Sequence, residues 1–374
     1  MGNLTNQRLD QPPDLADCRC DVDWIRVAAL GFLVIYHSAV AFQPWGTHLL
    51  LIWNERSLRG VWRLMEIVDI WRIPIVFVVS GMGLRLAVER KNWKQLLGDG
   101  ALRILVPLVF GTFAVGPLSL AIAVDYYYGA ASYVPAPGHL WFLANILIYV
   151  LLLLPFVIWV KRCSDNWLVR GFERLVGAGC GVGMALLAVP TILEAILVDP
   201  KGYASYAFTL HGLVLGFICF ALGFLLVSTG KAGRRSAERG RFAALAIASG
   251  LCLARQFELW PGLNALLALE SMSWMIAVWG FASRHLDKPS KTLRYLSSAV
   301  FPVYILHLPV QAFVSSFLMP LGIHPLPKFF LLVALTISGS LGLYEIVKRI
   351  RWVRLLFGMK WTRRKSLARQ REAV

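Results

Sequence analysis

Apolar runs of about twenty residues recur from one end of this chain to the other, and no other feature constrains its fold as strongly. They fall at 24–43, 68–88, 102–124, 139–160, 175–197, 207–228, 242–258, 262–283, 295–318 and 329–347. Each is long enough to cross a hydrocarbon layer of ~30 Å as a helix, and only helices or closed barrels satisfy every backbone group there. Gly and Pro within the runs are tolerated where helices pack on neighbours. With 57% hydrophobic and 16% charged residues, the chain carries more apolar surface than a soluble fold buries. The expected fold is therefore all-α: a polytopic integral membrane bundle of about ten transmembrane helices.

Lys and Arg orient it. Flanks and connections at 1–23, 85–103, 161–174, 229–241, 284–294 and 348–374 hold 30 of them, against six on the opposite side, which predicts both termini in the cytoplasm. The first run follows a polar, acid-containing tail and lacks a small-residue cleavage site, so it reads as a retained helix rather than an export signal. The domains expected are a cytoplasmic tail at 1–23, a membrane domain at 24–347 and a basic cytoplasmic tail at 348–374. The net charge of +17 suggests nucleic acid at first sight, but the cations gather on one membrane face, where anionic lipid attracts them. Membrane lipid is the expected partner and nucleic acid is not.

The six cysteines are dispersed, with no C-x-x-C pair and no His/Cys spacing for a metal; no phosphate-binding Gly loop and no internal repeat is present. No bound cofactor and no metal site is expected. Two connections on the less basic side are long. Residues 44–67 combine a Pro/Gly turn with a mixed apolar and basic stretch suited to the interface, and DYYYGAASYVPAPG (125–138) offers tyrosines that suit an aromatic belt or a carbohydrate.

Ionisable groups inside apolar runs are expensive, and they mark candidate function. Arg26 and His37 stand eleven residues apart in the first run; at ~100° per residue both project from one helix face, separated by roughly 16 Å along the axis. Arg26 has three options: snorkelling to the headgroups, pairing with Asp23 at i−3, or holding a phosphate that enters from the cytoplasm. His37 is either a hydrogen-bonded core residue or a group that moves protons near neutral pH. Glu66, Asp69 and Arg72 lie at i, i+3 and i+6, a spacing that favours mutual pairing over an acceptor-facing patch. His307, between Pro302 and Pro309, is placed to line a site or to make a structural hydrogen bond. His139 and Trp141 read as anchors at the outer boundary, with acceptor contact second. Glu194, Glu258 and Glu270 are candidates to orient His37.

Five segments then carry a resemblance. R26-x10-H37, VFVVSGMGL (76–84), LRILVPLVFG (102–111), GHLWFLANILIYVLLLLP (138–155) and FPVYILHLPV (301–310) follow the order of the membrane acyltransferase-3 family. FPVYILHLPV and YEIVKRIRWVRLLFGMK (344–360) most resemble its branch of glucans biosynthesis protein C, the periplasmic glucan succinyltransferase-like branch. The resemblance implies a multi-pass protein of the bacterial inner membrane that transfers acetyl or succinyl from a cytoplasmic donor, acyl-coenzyme A, to a hydroxyl of an extracytoplasmic saccharide. It makes Arg26 and His37 the matched essential pair, with Arg26, Arg103 and Lys94 toward the donor and His37 as base. Relatives often carry R-x-x-R before the third helix; Arg103 is present here, but Gly100 occupies the earlier position. An acyl-enzyme on Ser38 or Ser80 is not required. The competing reading is a transporter or flippase for a saccharide or its lipid-linked form.

Overall fold

The computed structural model describes residues 19–49, 51–162, 166–177, 182–260 and 262–359, and among them there are helices and no strands. Eight helices are long and apolar enough to cross a membrane: α1 (Cys20–Val40), α2 (Arg59–Arg90), α3 (Trp93–Tyr128), α4 (Gly138–Arg162), α7 (Leu210–Ser228), α9 (Asn264–His285), α10 (Lys291–Leu318) and α11 (Pro325–Val347). Two expected crossings differ. The run 175–197 is divided between an amphipathic α5 (Trp167–Gly177) and a short α6 (Gly183–Val198). The run 242–258 is the far half of α8 (Lys231–Gln256), whose first half is basic. Helices outlast their apolar windows because hydrogen bonding continues where the hydrocarbon stops; α1 likewise starts at Cys20, four residues before the apolar run. A short α12 (Arg351–Leu356) packs back on α3, so residues 348–359 belong to the folded body. The rest of the basic tail, and residues 1–18, lie outside the described residues.

Lys161 Nζ donates to the Val88 and Lys91 carbonyls, Arg85 Nε to Ser228 Oγ and Ser283 Oγ to Asp21, which brings Lys/Arg-rich connections together at one end, here the basic end. Helix α1 runs parallel to α10 and packs also on α2 and α9. Helices α2 and α7 touch backbone to backbone: a Cβ on Gly81 would strike the Phe220 carbonyl, and one on Gly223 the Val78 carbonyl. Such small residues let dispersion do the work that water-driven burial does in soluble proteins. At the opposite, far end, Phe42, Ile52, Met319, Phe329 and Leu332 form a second core. The connection after α1 closes over it, with a 3-10 turn at Pro44–Leu49, buried Leu51 and Ile52, and the Asn54 amide donating to the Ala41 carbonyl at 2.8 Å. Residues 59–67 of the stretch 44–67 are the first turns of α2, and Gly46, Leu51, Ile52 and Asn54 of the connection are buried.

Prolines supply a repeated device. Proline has no N–H, so the carbonyl four residues earlier loses its helical donor. Pro74 thus frees the Ile70 carbonyl, which accepts from Tyr206 Oη (2.7 Å) and Ser271 Oγ (2.8 Å). In α3, Pro117 frees the Phe113 carbonyl, which accepts from Tyr133 Oη at 2.9 Å. Just before it, the π turn Gly111–Val115 sends the Gly116 N–H to Gly111 O, so Thr112 O is left to accept from Ala136 N at 3.1 Å. Together these bonds draw the segment after Tyr128 back along α3. Tyr128 and Thr112 are sixteen residues apart, about 24 Å of helix, so the segment returns far along the exposed side of α3 before it enters α4. Irregular backbone is tolerated at membrane depth where protein or a cavity satisfies it.

Candidate functional site

Three helical segments bring three histidines together. Helix α1 contributes His37 near its far end, α10 contributes fully buried His307, and the folded-back segment delivers His139 at the start of α4. His37 Nδ1 lies 2.9 Å from His307 Nε2, with the two rings within 5° of parallel. His307 Nδ1 lies 2.7 Å from the Tyr304 carbonyl, and His139 Nε2 lies 3.0 Å from that same oxygen. The Tyr304 hydroxyl donates to the His139 carbonyl at 2.5 Å, locking the two segments. Gln311, one turn beyond His307, donates to the His37 carbonyl at 2.9 Å.

These contacts fix the protons of the neutral rings. A carbonyl only accepts, so His307 carries its proton on Nδ1 and presents a lone pair at Nε2. His37 must then donate from Nδ1. Its remaining nitrogen, Nε2, is left as a bare lone pair, and it makes no hydrogen bond among the described residues. The arrangement can accept a proton at His37 Nε2 while the opposite nitrogen stays anchored.

A cation stands beside it. The Arg72 guanidinium sits 3.6 Å above the ring of Tyr36, the neighbour of His37, and its Nη2 donates to Asp69 Oδ1 at 3.0 Å. Arg72 is 5% exposed, and its Nε is buried without a hydrogen-bond partner. On the far side of His37, Ser38 Oγ, Gln311 Oε1 and Ser315 Oγ are also buried without partners. Ser80 is spent on the Val76 carbonyl at 2.7 Å.

Other expected positions fall elsewhere. His139 is no boundary anchor: the pull of Thr112 and Phe113 places it in the cluster, while Trp141, two residues on, packs edge-on against Phe77. None of the three glutamates meets His37. Glu194 pairs with His211 at 2.9 Å, Glu270 is gripped by Arg255 through two 3.0 Å contacts, and Glu258 is exposed; His307 takes the place foreseen for a carboxylate. Toward the basic end, Arg26 is 3.5 Å from Asp23 with its side chain 42% exposed, and it lies against Gly83 of α2. Arg103 sits on the π turn Ala101–Leu105, and exposed Lys94 lies over its neighbour Trp93. No ion pair or hydrogen bond joins Arg26, Arg103 and Lys94 among the described residues.

A family model described as an acyltransferase domain, of the acyltransferase-3 family, matches residues 21–345, which takes in the whole bundle and all three histidines. The chain belongs to this family. It is an acyltransferase, moving groups other than aminoacyl groups, and a multi-pass membrane protein. No curated protein and no solved structure matches it.

Two features of the acyltransferase escaped sequence reasoning. Arg72 reads as half of an i, i+3 pair, which it is, but its stacking on Tyr36 is a contact between helices that no spacing reveals. His211 drew no notice, yet it is 2% exposed, between Glu194 Oε1 and the Tyr203 carbonyl, both at 2.9 Å. The signal available was a histidine and a glutamate in neighbouring apolar runs, too common a pattern to select one pair.

Proposed function

We propose that the protein transfers an acyl group, acetyl or succinyl, from a cytoplasmic acyl-coenzyme A to a hydroxyl of an extracytoplasmic glucan or related saccharide, in the bacterial inner membrane. The observation that carries this reading is the carbonyl–His307–His37 chain, which leaves His37 Nε2 as a fixed lone pair within a membrane bundle. As the acceptor oxygen attacks the thioester carbon, its proton passes to His37 Nε2. The imidazolium formed keeps its Nδ1–H on His307. Collapse of the tetrahedral intermediate breaks the C–S bond, and the proton returns from His37 to the leaving thiolate. No acyl-enzyme is needed.

Arg72 supplies the electrostatic half. An unpaired buried N–H costs about 1–3 kcal/mol, and an oxyanion developing beside Tyr36 would satisfy it; preorganised donors of this kind commonly give the largest catalytic contribution. Orphaned Ser38, Gln311 and Ser315 suit a ligand rich in hydroxyls. The distribution of Lys and Arg favours a cytoplasmic basic end, which would set Arg26 where the donor arrives. Arg26, Arg103 and Lys94 would steer the donor's phosphates, with Asp23 holding Arg26 in place. The segments 301–310 and 344–360 favour the periplasmic-glucan branch. Neither the family nor the histidine geometry gives support to the transporter reading.

The test uses purified protein in nanodiscs with acetyl- or succinyl-coenzyme A and a glucan oligosaccharide. Acceptor-dependent release of coenzyme A, with an acylated sugar found by mass spectrometry, is expected. Wild-type protein that moves the sugar across a sealed vesicle without any acyl donor, and releases no coenzyme A, would overturn the proposal.

A further inference from the structure

At the basic end, α8 and α9 form an open surface pocket of about 370 Å³ lined by Arg235, Glu238, Arg239, Arg241 and Arg284, of which Arg235, Arg239 and Arg284 are exposed. Its charge is not balanced from within. Arg234, which is outside the lining, takes both nearby carboxylates: its Nε is 3.0 Å from Glu238 Oε1, and its Nη1 pairs with Asp287 Oδ2. Arg234 Nη2 also donates to the Ser283 carbonyl at 2.5 Å. Arg235, Arg239, Arg241 and Arg284 consequently form no ion pair among the described residues.

The cluster is built and held. Gly280 brings α9 against α8 at Ala237 and Arg241, where any Cβ would collide with backbone, and this sets Arg284, one turn later, across from Arg241. Arg241 is fastened by a hydrogen bond to the Glu238 carbonyl and lies 4.5 Å from the ring centroid of Phe242 and 5.6 Å from that of Phe281, while its Nε is buried with no partner. Four arginines lining one open pocket present a concentrated positive charge that an anion would neutralise, and the planar guanidinium fork matches phosphate oxygens. The volume is that of a small-ligand pocket, larger than one phosphate requires. Ser283, beside Arg284, donates to Asp21 Oδ2 at 3.1 Å, so the pocket wall is joined to the start of α1, the helix that carries Arg26 and His37.

We propose that this pocket is a binding site for a ligand bearing more than one phosphate, drawn either from a soluble nucleotide-type compound or from a phospholipid headgroup. The proposal concerns binding alone and stands whether or not the chemistry at His37 is acyl transfer. The test uses the full-length protein in detergent micelles and three variants. One is the triple substitution Arg235→Gln, Arg239→Gln and Arg284→Gln; the second neutralises Lys288, Lys291 and Arg294 nearby; the third is Arg239→Gln alone, which perturbs packing least. Coenzyme A binding by calorimetry and cardiolipin retention by native mass spectrometry are read on each, with His37→Ala as a binding-competent control. A tenfold or greater rise in coenzyme A Kd confined to the pocket variants identifies a soluble ligand. Loss of cardiolipin confined to them, with coenzyme A unchanged, identifies the headgroup. Wild-type affinity for both probes in every folded variant would overturn the site.

Discussion

The histidine cluster and the arginine pocket manage polar groups in opposite ways. Among the histidines every proton of the neutral rings has an internal acceptor, two of them the same backbone carbonyl, and two lone pairs are left over, at His37 Nε2 and His139 Nδ1. In the pocket, four cations share no carboxylate, because Arg234 has taken both. The difference follows from solvent. Within the bundle an unsatisfied group costs several kcal/mol and has to be paired by protein, so what remains unpaired is informative. At the basic end water solvates the arginines until a ligand displaces it. One region is organised for a reaction, the other for capture.

If that division holds, His37→Ala gives the largest effect: loss of the base should lower kcat by about 10²–10⁴-fold, while coenzyme A binding at the basic end stays at the wild-type level. A parallel loss of binding would collapse the two regions into one. Next, Arg72→Gln should reduce kcat by roughly 10²-fold, in the range for removing one oxyanion donor, with the donor KM little changed; a KM effect alone would move Arg72 from the reaction to binding. Substitutions of His307 refine the relay. Leu at this position should cost more than Gln, since the Gln carbonyl can still accept the His37 proton, and the gap should be about tenfold, equivalent to ~1.4 kcal/mol, the scale of one hydrogen bond. Equal activities would remove His307 from the mechanism. The smallest effect is expected from Tyr133→Phe, which deletes one bond holding the folded-back segment and should lower stability by about 1 kcal/mol, read as a small fall in Tm with a proportionately larger loss of activity if His139 shifts.

The helices were legible because hydrocarbon imposes a length, and their order along the chain follows from it. Their ends were less so: α1 begins at Cys20, α3 at Trp93 and α8 at Lys231 because charged residues extend a helix beyond the apolar layer without breaking its bonds. His37 could be singled out by its cost inside an apolar run, and His307 by the prolines around it. Their meeting could not, since it depends on the axial register of α1 against α10, which the sequence of neither helix encodes alone. His139 was misplaced because a Tyr-rich, Pro-rich segment looks like an outer loop; the overlooked sign was Gly116–Pro117, which frees the two carbonyls that pull it in. None of the three glutamates of the apolar runs is placed to orient His37. Glu194 and Glu270 already serve His211 and Arg255, and a neutral imidazole does the orienting.

The proton arrangement in the cluster is the central claim, and ¹⁵N solid-state NMR of histidine-labelled protein in lipid tests it most directly. Comparison with His37→Ala assigns the His37 signals. The structure predicts, for the neutral ring, a protonated Nδ1 and a bare Nε2, with through-space correlation from the Nδ1 proton to His307 Nε2. A neutral His37 protonated at Nε2 would contradict the relay and remove the base from the proposed reaction.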